Sequence, residues 1–380
     1  MRQTRRQFLT RSVLAAGALT PLCAQIRALA VVNSGLADAF SDDFSLGTAV
    51  SESTLTTQDA KMMRLIAHEF SAITAENSMK WESLQPTLGK FDWREADAFV
   101  RFAQDNNLLM IGHTLVWHSQ TPNNVFFKPN GEPVTKSELL MRMETHINTV
   151  MSRYKGVIPA WDVVNEAIDQ GTWRNSHWLK IIGSDYFQHA FRFARHANPS
   201  AHLIYNDYNM HHINKQRFLI EQIKRCRQQG VIVDGVGMEC HATLDDGPTI
   251  DEIENAILTF AEAGLTVHIS ELDIDVLPAT WNYEGAEIDV NFKYSEAINP
   301  YPDELPAAVA EKLATRYQDL FRLFVKHRDK IARVSVWGTT DNESWKNDWP
   351  VAGRTNHPLL FDRQGQRKQA YYAISDLKDR

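Results

Sequence analysis

Cysteine is nearly missing: three residues in 380, too few for a scaffold stapled by disulfides. There is no surplus of basic charge either. Lys and Arg total 40 against 47 Asp and Glu, a formal net charge of −7. That balance argues against nucleic acid or an anionic membrane as partner, since either would call for a basic face. Beyond the first thirty residues no apolar run is long enough to span a bilayer. Internal repeats and low-complexity linkers are absent as well, and no Cys/His set has the spacing of a metal site. What is present is the balance of a soluble globular protein, 43% hydrophobic and 23% charged. The length suits two ordinary domains or one large closed α/β architecture.

Residues 1–30 read as an address rather than as fold. Thr4-Arg5-Arg6-Gln7-Phe8-Leu9-Thr10 precedes an apolar run from Val13 to Leu22, and Ala28-Leu29-Ala30 supplies small residues for cleavage. The pattern is that of a removable signal peptide. Its paired arginines followed by Phe-Leu look like a twin-arginine signal, which would export the protein already folded. An ordinary secretory signal is the alternative. Either way a periplasmic or secreted protein is expected, with no membrane anchor after removal. Cleavage after Ala30 would also remove Cys23, leaving Cys226 and Cys240 either paired or as two free thiols.

A lead-in over residues 31–43 would precede a catalytic barrel over residues 44–380. From residue 44 onward short apolar runs alternate with amphipathic stretches. The strand candidates are Leu46–Val50, Ala72–Ala75, Leu109–Gly112, Ala160–Asn165, His202–Asn206, Gly235–Glu239, Thr266–Glu271 and Arg333–Trp337. Helical patterns lie between them, among them Arg94–Asp105, Lys136–Tyr154, Asn214–Gln229 and Pro306–Lys326. Eight such units predict a single-domain (β/α)₈ TIM barrel in preference to a doubly wound sheet. Nearly every strand candidate runs into polar or aromatic residues, and in a barrel those strand ends converge on one face.

Two strand ends carry glutamates. One is Ala160-Trp161-Asp162-Val163-Val164-Asn165-Glu166, and the other is Val267-His268-Ile269-Ser270-Glu271-Leu272-Asp273. Carboxyls facing each other across a cleft suit glycosidic cleavage, provided that one holds a proton while the other stays ionised. A lone glutamate in such a place would more simply be a salt-bridge or helix-end residue. Two at matching strand ends make a site.

Six segments, in order, resemble those of glycoside hydrolase family 10 endo-β-1,4-xylanases. They are Thr74-Ala75-Glu76-Asn77-Ser78-Met79-Lys80-Trp81, Gly112 through Gln120, Trp161 through Glu166, Tyr205-Asn206-Asp207-Tyr208-Asn209, His268 through Asp273, and Val336-Trp337-Gly338 through Trp345. The resemblance runs from about Phe44 to the C-terminus. It implies a retaining hydrolase of xylan and xylo-oligosaccharides, with Glu166 as acid/base and Glu271 as nucleophile. It further implies substrate contacts from Glu76, Asn77, Lys80, His113, Trp117, Gln120, Asn165, Asn206, Tyr208, Glu239, His241, Trp337 and Trp345. Asp273 and Asp162 would orient these residues from behind. Core packing remains the alternative for Trp117.

The family usually has Gln where this chain has Glu239. A third carboxyl beside Glu271 should be protonated or paired with His241. No cofactor and no catalytic metal are expected, and the chain is expected to be a monomer. The rival readings are a metal-dependent barrel hydrolase, prompted by His113, His118 and His241, and a non-catalytic polysaccharide-binding module. A β-1,4-glycanase that also accepts glucose-based substrates is a third. The long stretch Asp275–Leu305, with Trp281, Tyr283, Tyr294 and Tyr301, would either extend the aglycone side or pack on the surface.

Overall fold

In the computed structural model, residues 35–278 and 290–378 are described. The expected signal peptide lies outside them, as do Cys23, Trp281 and Tyr283. Eight parallel strands close on themselves: β1 (Ser45–Val50), β2 (Ala72–Ala75), β3 (Leu109–Val116), β4 (Ala160–Asn165), β5 (His202–Asp207), β6 (Gly235–Met238), β7 (Thr266–Asp275) and β8 (Ile331–Val336). Each strand pairs with the next, and β1 pairs with β8 to shut the ring. Strand β4 is buried along its whole length, as expected for parallel strands covered on both faces.

The strand-linking helices are α1 (Ala60–Glu69), α2 (Arg94–Asp105), α3 (Lys136–Arg153), α4 (Tyr186–Ala197), α5 (Ile213–Gln228), α6 (Ile250–Glu262) and α7 (Ala307–Lys326), with α8 (Gln369–Ser375) last. Helices α3 and α6 start on capping boxes, Thr135 with Glu138 and Thr249 with Glu252. Each box satisfies two N–H groups that the first helical turn leaves without partners. The expected (β/α)₈ architecture is therefore the observed one.

Two strands outrun their expected ends by four residues each, and both extensions position the site. Strand β3 continues through His113 to Val116, with His113 in register with Asp162 on β4. Strand β7 continues to Asp275 because its last residues pair with the short strand His241–Thr243. That pairing sets His241 beside Asp273. Gly237 on β6 matters for a different reason: a Cβ there would lie 2.0 Å from Oδ1 of Asn206. Only glycine leaves Asn206 room to cross the barrel.

Residues 35–43, expected as a lead-in, form a short helix (Leu36–Ala39) whose Leu36, together with Phe40 just after it, is fully buried. One carboxylate ties the two ends of the described chain together. Glu69, 1% exposed, accepts from the Leu36 backbone N–H at 3.0 Å, the Tyr371 hydroxyl at 2.9 Å and the Arg367 guanidinium at 2.6 Å. Cys226 and Cys240 are both free thiols. In the stretch after β7, the described part packs on the loop after β8: the Phe292 N–H donates to the Pro350 carbonyl, and Tyr294 lies beside Gly353. Among the described residues, no helix is long and apolar enough to cross a membrane.

Candidate active site

At the C-terminal ends of the strands lies a cleft of about 440 Å³, within the range of pockets that take small ligands. Glu166 and Glu271 both line it. Glu166 follows β4 with φ at +50°, a left-handed backbone that costs a non-glycine residue on the order of 1–3 kcal/mol. Such strain persists only where the surroundings impose it. Here the Glu166 N–H donates to the Asn206 carbonyl, and its own carbonyl accepts from Arg174 Nε at 2.7 Å.

The two carboxyls sit in opposite electrostatic settings. Burial pushes Glu166 up to about 7, helped by the charges of Asp207 and Glu271, while a 2.9 Å hydrogen bond from Trp117 Nε1 to Oε2 and the charge of Arg174 pull against it. Burial would raise Glu271 too, but there it is outweighed. Its partners are His241 (Nε2 to Oε2, 3.3 Å), the charges of His113 and His241, and the Asn206 amide (2.8 Å), and together they hold it below the usual carboxylate range. One carboxyl is thus poised to carry a proton near neutrality while the other remains ionised.

The neighbours fall into three groups. On one side, Lys80 Nζ donates to Asn77 Oδ1 (2.9 Å) and Gln120 Oε1 (2.8 Å) and sits 4.8 Å above the Trp117 ring. Glu76, beside them, is raised to about 7 by burial and then by the charge of Glu52, against the pull of Lys80. On the other side Tyr208 accepts from Arg174 Nη2 at 2.6 Å, and Lys215 Nζ lies 3.9 Å from its ring centre. Across the floor, His113 Nδ1 meets Asp162 Oδ2 at 3.0 Å, and Trp337 packs edge-on against the His113 ring.

Behind the cleft, Asp273 Oδ1 lies 3.0 Å from His241 Nδ1, and its Oδ2 accepts from Trp345 Nε1 at 2.7 Å. Glu239 is 2% exposed. Its pKa lies well above the usual carboxylate value because of burial and then the charges of Glu271 and Glu166.

Of the residues expected at the substrate, Glu76, Asn77, Lys80, His113, Trp117, Gln120, Asn165, Tyr208, Glu239, His241, Trp337 and Trp345 all line the cleft. Asn206 differs. It is fully buried beneath the cleft floor, and its amide meets Asn165 Oδ1, Glu239 Oε1 and Glu271 Oε1 at 2.8, 3.1 and 2.8 Å. It touches a carboxylate rather than the open space because Gly237 lets it reach inward. Trp117 points its indole N–H at Glu166 and is no mere core residue.

Sequence reasoning passed over Asn209, Lys346 and Trp349, which also line the cleft. Asn209 stands in the quoted Tyr205–Asn209 segment, and Lys346 directly follows Trp345. Trp349 stacks at 4.5 Å on Trp345. A third tryptophan so soon after Trp337 and Trp345 was a signal available in the sequence.

The model of the glycosyl hydrolase family 10 matches residues 35–377. The endo-1,4-beta-xylanase A of Xylanibacter ruminicola is 41% identical over 353 residues, covering 93% of this chain and 95% of the relative. The endo-1,4-beta-xylanase of Geobacillus stearothermophilus is 38% identical, covering 90% and 98%. A solved family 10 endoxylanase retrieved from a sugarcane soil metagenome superposes with a TM-score of 0.86 at 48% identity, covering 91% of this chain and 99% of that one. With the barrel closed and the paired glutamates at its mouth, this chain belongs to glycosyl hydrolase family 10.

Proposed function

We propose that the protein is a retaining endo-1,4-β-xylanase that hydrolyses internal bonds of xylan through a covalent glycosyl-enzyme. The observation that carries this reading is the opposed setting of Glu166 and Glu271 in one cleft. The Glu271 carboxylate attacks the anomeric carbon from the face opposite the leaving oxygen. As that bond breaks, the glycosidic oxygen takes the proton of Glu166. The resulting Glu166 carboxylate then removes a proton from water, the water oxygen bonds to the anomeric carbon, and the ester to Glu271 opens. Both carboxyls return to their starting states.

The remaining residues bind and orient. Glu76, Asn77, Lys80 and Gln120 face the hydroxyls of the glycone sugar, with the Lys80 charge fixed by two side-chain oxygens. His113 and Asn165 reach the sugar beside the scissile bond. Trp117, Trp337 and Trp345 supply apolar faces to the rings, and Tyr208 lines the aglycone side. Asp162 and Asp273 orient His113 and His241, while Asn206 positions Glu271. The chain acts as a monomer without a cofactor. Residues 1–30 direct export by the twin-arginine route, which ends in the periplasm or outside the cell.

The direct test is reducing-sugar release from xylan by the wild type and by Glu271→Ala. The variant should be inactive and should regain chain cleavage when azide or formate is added, read by product size because the anion caps the new anomeric carbon; a small anion can fill the space of the lost carboxylate. Substantial unaided turnover by Glu271→Ala would overturn the assignment. Full wild-type activity after exhaustive chelation would dispose of the metal-dependent alternative.

A further inference from the structure

We propose that Glu239, His241 and Glu271 form a binding site for a zinc-like divalent cation, whose occupancy blocks hydrolysis reversibly. The cation would be an inhibitor and not a cofactor. A shortage of hydrogen-bond donors is the first ground. With both carboxyls ionised, Asn165 Oδ1 and the four carboxylate oxygens of Glu239 and Glu271 make five acceptors. The hydrogens facing them are two from the Asn206 amide and one from His241 Nε2. The Ser270 hydroxyl adds none, since it donates to Asn206 Oδ1 at 2.6 Å. The spot opens onto the cleft, which Glu239, His241 and Glu271 all line.

Spacing is the second ground. One atom from each of the three residues lies within 4.8 Å of the other two. His241 Nε2 stands 3.6 Å from Glu239 Oε2 and 3.3 Å from Glu271 Oε2. Four-coordinate zinc holds N and O ligands at about 2.0–2.2 Å, so neighbouring ligands in its tetrahedron are about 3.3–3.6 Å apart. Two of the three edges already have that length, and the carboxylate–carboxylate edge must shorten. Calcium asks for six to eight oxygens and magnesium for an octahedron of oxygens and water. Three groups that include an imidazole suit neither.

The support around the imidazole is the third ground. His241 turns Nδ1 toward Asp273 Oδ1 at 3.0 Å, and Trp345 Nε1 fixes the other oxygen of that carboxylate at 2.7 Å. A carboxylate behind a histidine is how metal-binding imidazoles are oriented and made more basic. On binding, His241 Nε2 gives up its proton to solvent, any proton on Glu239 leaves with it, and the fourth position faces the cleft. The Glu271 carboxylate can then no longer attack carbon. The site depends on Glu239, because an amide in its place leaves one carboxylate and one imidazole.

The experiment uses the whole protein, stripped with chelator and dialysed against Zn²⁺, with Mg²⁺ in a parallel arm. We expect one Zn²⁺ more per chain in the wild type than in Glu239→Gln, displaced by saturating xylotriose, with inhibition competitive with substrate. The inhibition constant for Zn²⁺ should rise at least tenfold in Glu239→Gln and by less in Glu239→Asp, which keeps the carboxylate on a shorter stem. Equal zinc uptake and inhibition in wild type and Glu239→Gln would overturn the proposal. So would bound zinc that xylotriose leaves in place, or equal uptake of Mg²⁺. Zinc uptake by dialysis needs no turnover, so it stands apart from the xylanase reading, which the chelated enzyme tests on its own.

Discussion

Trp117 and Glu239 each set a proton on the cleft, in different ways. The Trp117 indole donates to the charged form of Glu166 and so lowers its pKa. Trp117→Phe removes that donor. A hydrogen bond to a charged group is worth about 1.5–3 kcal/mol, so Glu166 should hold its proton to a pH about one to two units higher. In the kcat/KM profile the alkaline limb, near 7 in the wild type, moves up while the acid limb stays. A limb that stays or moves down would mean the indole does not touch Glu166 in solution. Burial and the charges of Glu271 and Glu166 hold Glu239 on its protonated side, and Glu239→Gln mimics that neutral form, so it should keep the acid limb. Where the wild type can lose a proton from Glu239 as well as from Glu166, the variant has one ionisation fewer, and its alkaline limb should fall less steeply. Profiles that overlay on both limbs would remove Glu239 from any role in tuning the site.

Among the elements, the strands were the legible part. A parallel barrel strand buried on both faces must be a short apolar run, and the acids beyond it mark its catalytic end, so β2 and β4 could be read to the residue. Where the expectation fell short, a partner distant in sequence decides the outcome. Nothing local to Ser270–Asp275 says that β7 continues until His241–Thr243 is known to pair with it. Nothing near Asn206 says that it lies under the floor until Gly237 is set beside it. The small helix Leu36–Ala39 is equally invisible, being four residues whose burial depends on a carboxylate 33 positions away. That tie makes its own prediction. Glu69→Ala leaves the partly exposed Arg367 guanidinium and two further donors without their acceptor, and a buried donor left unsatisfied costs about 1–3 kcal/mol. Thermal unfolding should come markedly earlier while kcat/KM at low temperature is kept, since Glu69 lies at the end of the barrel away from the cleft. An unchanged melting temperature would show the tie to be dispensable.

For the molecule as a whole, acidity and the proposed export would go together. Cleavage after Ala30 would remove Arg2, Arg5, Arg6, Arg11 and Arg27 with no acid and take the formal charge from −7 to −12. A net negative charge disfavours non-specific adhesion to acidic surfaces. Export by the twin-arginine route predicts that replacing Arg5 and Arg6 together by Lys retains the folded, active enzyme inside the cell. N-terminal sequencing of the exported wild type should begin at Val31. Normal secretion of the paired variant would point to the general secretory route instead.

Glu69 has a consequence for rebuilding the chain. Leu36 and Tyr371 bond to the same oxygen of its carboxylate, so the first and last helices of the described residues meet within a few ångströms of each other, at the end of the barrel away from the cleft. A short glycine-rich bridge from the last helix back to Gly35 would make a cyclic chain, and new ends could then be opened in an exposed loop elsewhere. Such a rearranged enzyme should cut xylan as the linear one does, because no strand order around the ring has changed.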